Sequence, residues 1–387
     1  MMRRLPQTMS RGGVHVGDRR LPVAALLALA LAAASVLFAA SPAERSEAQT
    51  AGGAPQTLKK AVWGLTEHNG RSMFPIYRDL GVGIFQTQAR WDQIAVSRPA
   101  QPTDPADPAY VWPSYLDQAI KDAEANGITV AIQLVGAPGW ANGGQSYTFP
   151  GSPSDFANFA AAISKRYPSV RHWMIWGEPN SKRAFGPVVG AATTNNTKLN
   201  GKQARAPQLY AQLLDAAYGA LKGVSSSNLV IGGNTYLGTG HPVIRTFQWI
   251  RYMRLPGGSR PRMDMWGHNP YSFRIPNLKA KPSPRGQVDF SDLGRLIKVL
   301  DKTFPRPRLR LFLSEWGVPT KKDQDLEFSV KPKVAAKWVR AAFRIVRGSP
   351  RIYTLGWSVP VDTTRNPQGL LDSALKPKPT YGPFKQG

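Results

Sequence analysis

The chain has 387 residues, 50 Lys and Arg against 24 Asp and Glu, a net charge of +26 and no cysteine. The missing thiol excludes a disulfide framework, a thiolate metal site and a cysteine nucleophile; the five histidines, His15, His68, His172, His241 and His268, contain no pair at zinc-helix spacing, so neither metal nor cofactor is expected. The basic residues are scattered, with no helix-turn-helix, zinc-finger or aromatic RNA-binding pattern among them, which argues against nucleic acid and leaves a solubilising surface or attraction to anionic cell-wall polymers.

In chain order, Arg3, Arg4, Arg11, Arg19 and Arg20 precede an uncharged, Ala- and Leu-rich run over 21–40. A charged stretch followed by an apolar one is the order of an export signal. The run is also long enough to span a bilayer. Residues 1–40 are therefore read as a signal peptide cleaved near Ala43 or Ala48, or as an uncleaved N-terminal membrane anchor. Either way the protein is expected to be secreted or held at the cell surface, with membrane contact only through this segment. Residues 41–57 read as a linker, and 58–387 as one domain.

Beyond the linker, apolar runs at 60–65, 82–87, 129–134, 172–176, 229–233, 263–268, 310–314 and 354–358 read as strands. Amphipathic patterns at 115–125, 153–167, 208–221, 292–304 and 333–347 lie between them as helices. Alternation of this kind points to a parallel sheet, and a count of eight strands predicts closure into a (β/α)8 TIM barrel. Three stretches, 96–112, 185–207 and 273–289, read as long loops, each following a strand. The basic, Pro-rich run from about Lys376 reads as a surface tail.

Two carboxylates stand out. Glu178 in Trp176-Gly177-Glu178-Pro179-Asn180 and Glu315 in Leu313-Ser314-Glu315-Trp316-Gly317 each follow a predicted strand. A barrel gathers the C-terminal ends of distant strands in one mouth. Two glutamates there suit cleavage of a glycosidic bond, one as proton donor and the other as nucleophile or base. Eleven tryptophans, among them Trp140, Trp176, Trp316 and Trp357, suit sugar faces, which pack on aromatic planes. His268 is placed either in the site or in the core.

With those residues in place, nearly everything from Val62 to Asp362 resembles the clan A glycoside hydrolases, the retaining (β/α)8 enzymes of cellulase and β-xylosidase type. The resemblance implies that Glu178, ending strand four, is the acid/base and that Glu315, ending strand seven, is the nucleophile. Trp91 with Ile94 is similar to the segment after strand two, and Pro138-Gly139-Trp140-Ala141 to the turn after strand three. His268-Asn269-Pro270-Tyr271 is similar to the end of strand six, which implies that Tyr271 hydrogen-bonds the nucleophile. Trp357 stands where the resemblance implies an aromatic floor for the sugar.

Two departures set expectations of their own. Gly177 stands where the clan has an asparagine that binds a sugar hydroxyl, so the pocket is expected to be larger there, with Asn180, Asn234 or Asn269 as substitutes. Gln86 stands where the clan carries an arginine. Arg183, with Lys198, Lys202 and Arg205 further out, offers cations to a substrate that is bulky or negatively charged near the cleavage point. The expected function is a secreted retaining glycosidase acting on a β-linked oligo- or polysaccharide. The alternative, resting on Gly177, is a barrel that binds cell-wall or acidic glycans with little or no catalysis.

Overall fold

The computed structural model describes residues 54–188, 198–236, 242–283, 286–324 and 326–387. The export segment 1–40, most of the linker and part of the 185–207 loop lie outside the described residues.

Eight parallel strands among the described residues close into a barrel. They are β1 (Thr57–Trp63), β2 (Val82–Arg90), β3 (Thr129–Val135), β4 (His172–Ile175), β5 (Leu229–Tyr236), β6 (Met265–Asn269), β7 (Arg310–Trp316) and β8 (Ile352–Trp357). Each pairs with the next, and β1 pairs with β8 through Ala61 and Gly356 to complete the ring. Side chains alternate across a strand, so every second residue turns inward. One apolar residue from each strand joins a cluster in the interior: Ala61, Ile84, Ala131, Met174, Ile231, Met265, Phe312 and Tyr353. The outward residues pack under the helices in one large apolar layer.

A helix follows each strand: α1 (Phe74–Asp79), α2 (Ser114–Ala125), α3 (Pro153–Arg166), α4 (Gly201–Val224), α5 (Thr246–Tyr252), α6 (Leu293–Thr303), α7 (Pro332–Gly348) and α8 (Tyr381–Lys385). The local chemistry of α3 explains its limits. Ser152 accepts a bond from the Ser154 amide, Pro153 opens the first turn, and Lys165 and Arg166 close the last one. Helix α4 starts seven residues earlier than its pattern suggests. The Asn200 side chain accepts from the Gln203 amide while the Gln203 side chain accepts from the Asn200 amide, and Pro207 is absorbed inside the helix.

The C-terminal run is not a surface tail. Phe384 is fully buried, its ring 5.1 Å from Phe343 and 5.8 Å from Trp357. Lys385 and Tyr381 both bond Asp79 at the end of α1, so α8 completes the helical ring. Among the described residues no helix is long and apolar enough to cross a membrane.

Candidate active site

At the C-terminal ends of β4 to β8 the connecting loops enclose a cleft of about 360 Å³. Glu178 and Glu315 both line it, with Tyr271, Tyr236, Arg183 and Ser358. Local irregularities turn the carboxylates there. On β7, Leu313 pairs with Leu355 of β8, but the next pairing is Trp316 with Trp357: three residues against two. This bulge breaks the alternation that otherwise puts Phe312 and Ser314 on the inner face, and it brings Glu315 to the cleft.

On β5 the pairing steps from Gly232–Trp266 to Thr235–His268, again three residues against two. Asn234 sits in that bulge with a left-handed backbone, φ 42°. Its amide donates to the Trp176 carbonyl at 2.9 Å, and its own carbonyl accepts from the Glu178 amide at 3.1 Å. Trp176 and Glu178 are themselves left-handed, at φ 62° and 47°. Non-glycine residues in that region cost on the order of 1–3 kcal/mol each and gather where side chains must be aimed.

Two residues at the end of β6 hold the two carboxylates, one each. Asn269, the last residue of β6, donates from Nδ2 to Glu178 Oε1 at 3.0 Å. Its Oδ1 accepts from Ser314 Oγ at 2.6 Å. Tyr271 Oη donates to Glu315 Oε2 at 3.5 Å. Burial, and next the charge of Glu315, hold the Tyr271 hydroxyl far above its ordinary pKa, so it stays a donor. Burial likewise pushes the Glu315 carboxyl up to about 7, against the pull of its Tyr271 and Asn269 donors.

The expected site residues divide. Glu178, Glu315 and Tyr271 meet in the cleft. The others lie elsewhere, each for a visible reason. Trp176 is fully buried against Phe156 and Phe185, its Nε1 donating to the Ala184 carbonyl. Trp316 and Trp357 are buried edge to face at 5.5 Å, and Trp357 Nε1 donates to the carbonyls of Val359 and Gln368. Trp140 packs its edge on Trp91, carries the Arg98 guanidinium 4.3 Å over its ring and donates to the Ala95 carbonyl. Asn180 is fully buried, its Nδ2 donating to the carbonyls of Tyr236 and Ile244, a clamp between two loops. His268 is buried between the Thr235 hydroxyl and the Val288 carbonyl, with its pKa lowered to about 4 by burial. Lys202 and Arg205 belong to α4, and with Lys198 they are not among the residues that line the cleft, whereas Arg183 is.

The room expected beside Gly177 is filled. A Cβ at 177 would stand 2.7 Å from Gln133 Oε1. Gln133, on β3, is buried and accepts from Gln88 Nε2 at 2.8 Å, so its side-chain amide fills the space beside position 177. Gln86 is fully buried and donates to the Ser314 carbonyl at 3.0 Å, steadying the strand just before Glu315. Arg90 instead pairs with Asp92 at 2.6 Å.

Asn269, expected only as one of three substitutes for the absent asparagine, is a partner of Glu178, and Gln133, beside Gly177, is not singled out by motif reading at all. Strand alternation holds the signal for the first: two-residue steps from the interior Met265 lead through Gly267 to Asn269, and His268 falls on the other face.

No protein-family model matches the chain, and no curated protein matches it in sequence. Solved structures do match its fold. A family 39 glycoside hydrolase from Bacteroides cellulosilyticus is 18% identical with a TM-score of 0.59; the match covers 86% of this chain and 63% of that one. A family 39 β-xylosidase from Caulobacter crescentus is 18% identical with a TM-score of 0.58, covering 87% and 72%. A glucosidase from Croceicoccus marinus is 16% identical with a TM-score of 0.58, covering 86% and 66%. The chain thus shares the eight-stranded barrel of these glycosidases and spans a little under two thirds of the length of the first.

Proposed function

We propose that this chain is an exported retaining glycoside hydrolase, with Glu315 as nucleophile and Glu178 as acid/base, acting on a β-linked oligo- or polysaccharide. The observation that carries this reading is the pair of glutamates facing one cleft, with Asn269 donating to Glu178 and Tyr271 donating to Glu315. Donors only two residues apart, Asn269 and Tyr271, hold one carboxylate each, which favours the spacing of about 5–5.5 Å used in retention over the about 6.5–9.5 Å that leaves room for an attacking water. Structural neighbours described as a β-xylosidase and a glucosidase agree with a glycoside as substrate. The charged-then-apolar N-terminal segment is the support for export.

In the first step the ionised Glu315 attacks the anomeric carbon while Glu178 gives its proton to the glycosidic oxygen, and the protonated aglycone departs. In the second, Glu178 takes a proton from water, the water oxygen adds to the anomeric carbon, and Glu315 leaves as carboxylate. Tyr271 donates to one Glu315 oxygen and leaves the other to attack, and Asn269 steadies Glu178.

A panel of aryl β-glycosides tests the roles. Glu315→Ala should abolish turnover on every substrate cleaved by the parent. Glu178→Ala should be slowed most on poor leaving groups, which need a proton, and azide should restore its turnover on good ones. Wild-type turnover by Glu315→Ala would overturn the assignment.

A further inference from the structure

A second groove, of about 620 Å³, lies on the outer wall between α5 and α6 and shares no lining residue with the cleft. Its wall carries Arg251, Arg254, Arg260, Arg295 and Lys302. Among the described residues that line it, none is acidic; the Asp292 carboxylate, outside the lining, lies close enough to Arg295 to feel its charge. The adjacent Asp301 is turned to Arg351 at 2.7 Å.

Several of these cations are held in place without being neutralised. Arg260 donates to the carbonyls of Ile250, Arg251 and Met253 at the end of α5, and Arg254 donates to the Gly258 carbonyl at 2.9 Å. The Arg295 guanidinium lies 4.6 Å over the Phe247 ring. Burial first, and then the charge of Arg254, lower the Arg260 pKa. Helix C-termini account for a cation or two. They do not account for five around one concavity.

We propose that this groove binds an anionic polysaccharide, holding a chain with repeated oxyanions away from the point of cleavage. Concavity separates it from a lipid surface, which needs a flat or convex face. The one aromatic residue in the wall, Phe247, is buried beneath Arg295, so no ring is free to stack on a nucleic-acid base. The proposal concerns binding alone and stands whether or not the cleft cleaves the same chain.

The test is binding of polygalacturonate at rising salt by the parent protein and two quadruple variants. One carries Arg251→Ser, Arg254→Ser, Arg295→Ser and Lys302→Ser. The other removes the same number of charges from Lys333, Lys337, Arg340 and Arg344, exposed on α7. The groove variant should lose about tenfold or more in affinity near 0.1 M salt, and its log–log salt slope should fall by about three. The α7 variant should stay within about twofold. Arg260 is left intact because it caps α5, and should the quadruple variant not fold, Arg251→Ser with Lys302→Ser should still lower affinity more than Lys337→Ser with Arg340→Ser. Equal losses from both faces would overturn the proposal. Groove-dependent binding of anionic phospholipid vesicles or duplex DNA without binding of polygalacturonate would overturn the choice of glycan.

Discussion

Glu315 joins two demands that conflict. In its proposed role as nucleophile it must be ionised, yet burial lifts its carboxyl to about 7. The rate constant kcat/KM should therefore rise with pH through about 7 on its acid side. Tyr271→Phe removes a donor that favours the ionised form, so the acid limb should move to higher pH, and kcat/KM at pH 6 should fall by about tenfold or more. An acid limb unmoved by this change would show that Tyr271 does not act on Glu315. The same burial has a stability consequence. An unfolded glutamate releases its proton near 4.5, whereas the folded one holds it to about 7. Between those values the folded state binds more protons, so the residue's contribution to stability falls as pH rises from about 4.5 to about 7, and stays low above it. Glu315→Gln should then raise unfolding stability by on the order of 2 kcal/mol at pH 8 and by little at pH 4. Urea denaturation at the two pH values measures it, and a gain independent of pH would count against the cause given.

Two elements show how strands and turns hold the site. The segment from Trp176 to Glu178 passes so close to Gln133 that residue 177 has no room for a Cβ. Gly177→Ala should cost about 1–2 kcal/mol, and Gln133→Ala in the same chain should relieve most of that cost. Additive losses in the double variant would mean that the two residues do not compete for the space. Helix α8 is the second case. Phe384→Ala should destabilise by about 3 kcal/mol with KM unchanged, since the ring fills a core site and does not line the cleft. A changed KM would tie α8 to the site. The barrel was legible because all eight strands are buried and apolar, so each showed as a run whatever its exact limits. Helix α8 was not, because one phenylalanine among lysines and prolines shows no period. The start of α4 was hidden by Pro207, and the seven-residue α5 is too short to show a helical repeat. In the site, the glutamates and Tyr271 were legible as motifs at strand ends. The tryptophans were misleading: each strand end has an inner and an outer face, and the bulges on β5 and β7 and the left-handed turn at Trp176 decide which face a residue joins.

At the scale of the whole molecule, all but three of its +26 charges fall beyond residue 57, on the barrel. They do not gather at the cleft, where Arg183 is the one cation among the described lining residues and Glu178, Glu315 and Glu327 stand beside it. Charge and chemistry are thus separated, the basic groove on the outer wall and the carboxylates in the mouth. The catalytic claim is met most directly by trapping the covalent intermediate. Incubation with activated 2-deoxy-2-fluoro β-glycosides, chosen from those whose parent sugars are cleaved, followed by mass spectrometry of the digested protein, should place a glycosyl ester on Glu315, with Glu178 unlabelled. A label on Glu178 or on any other residue, or no label together with product of inverted configuration, would contradict it.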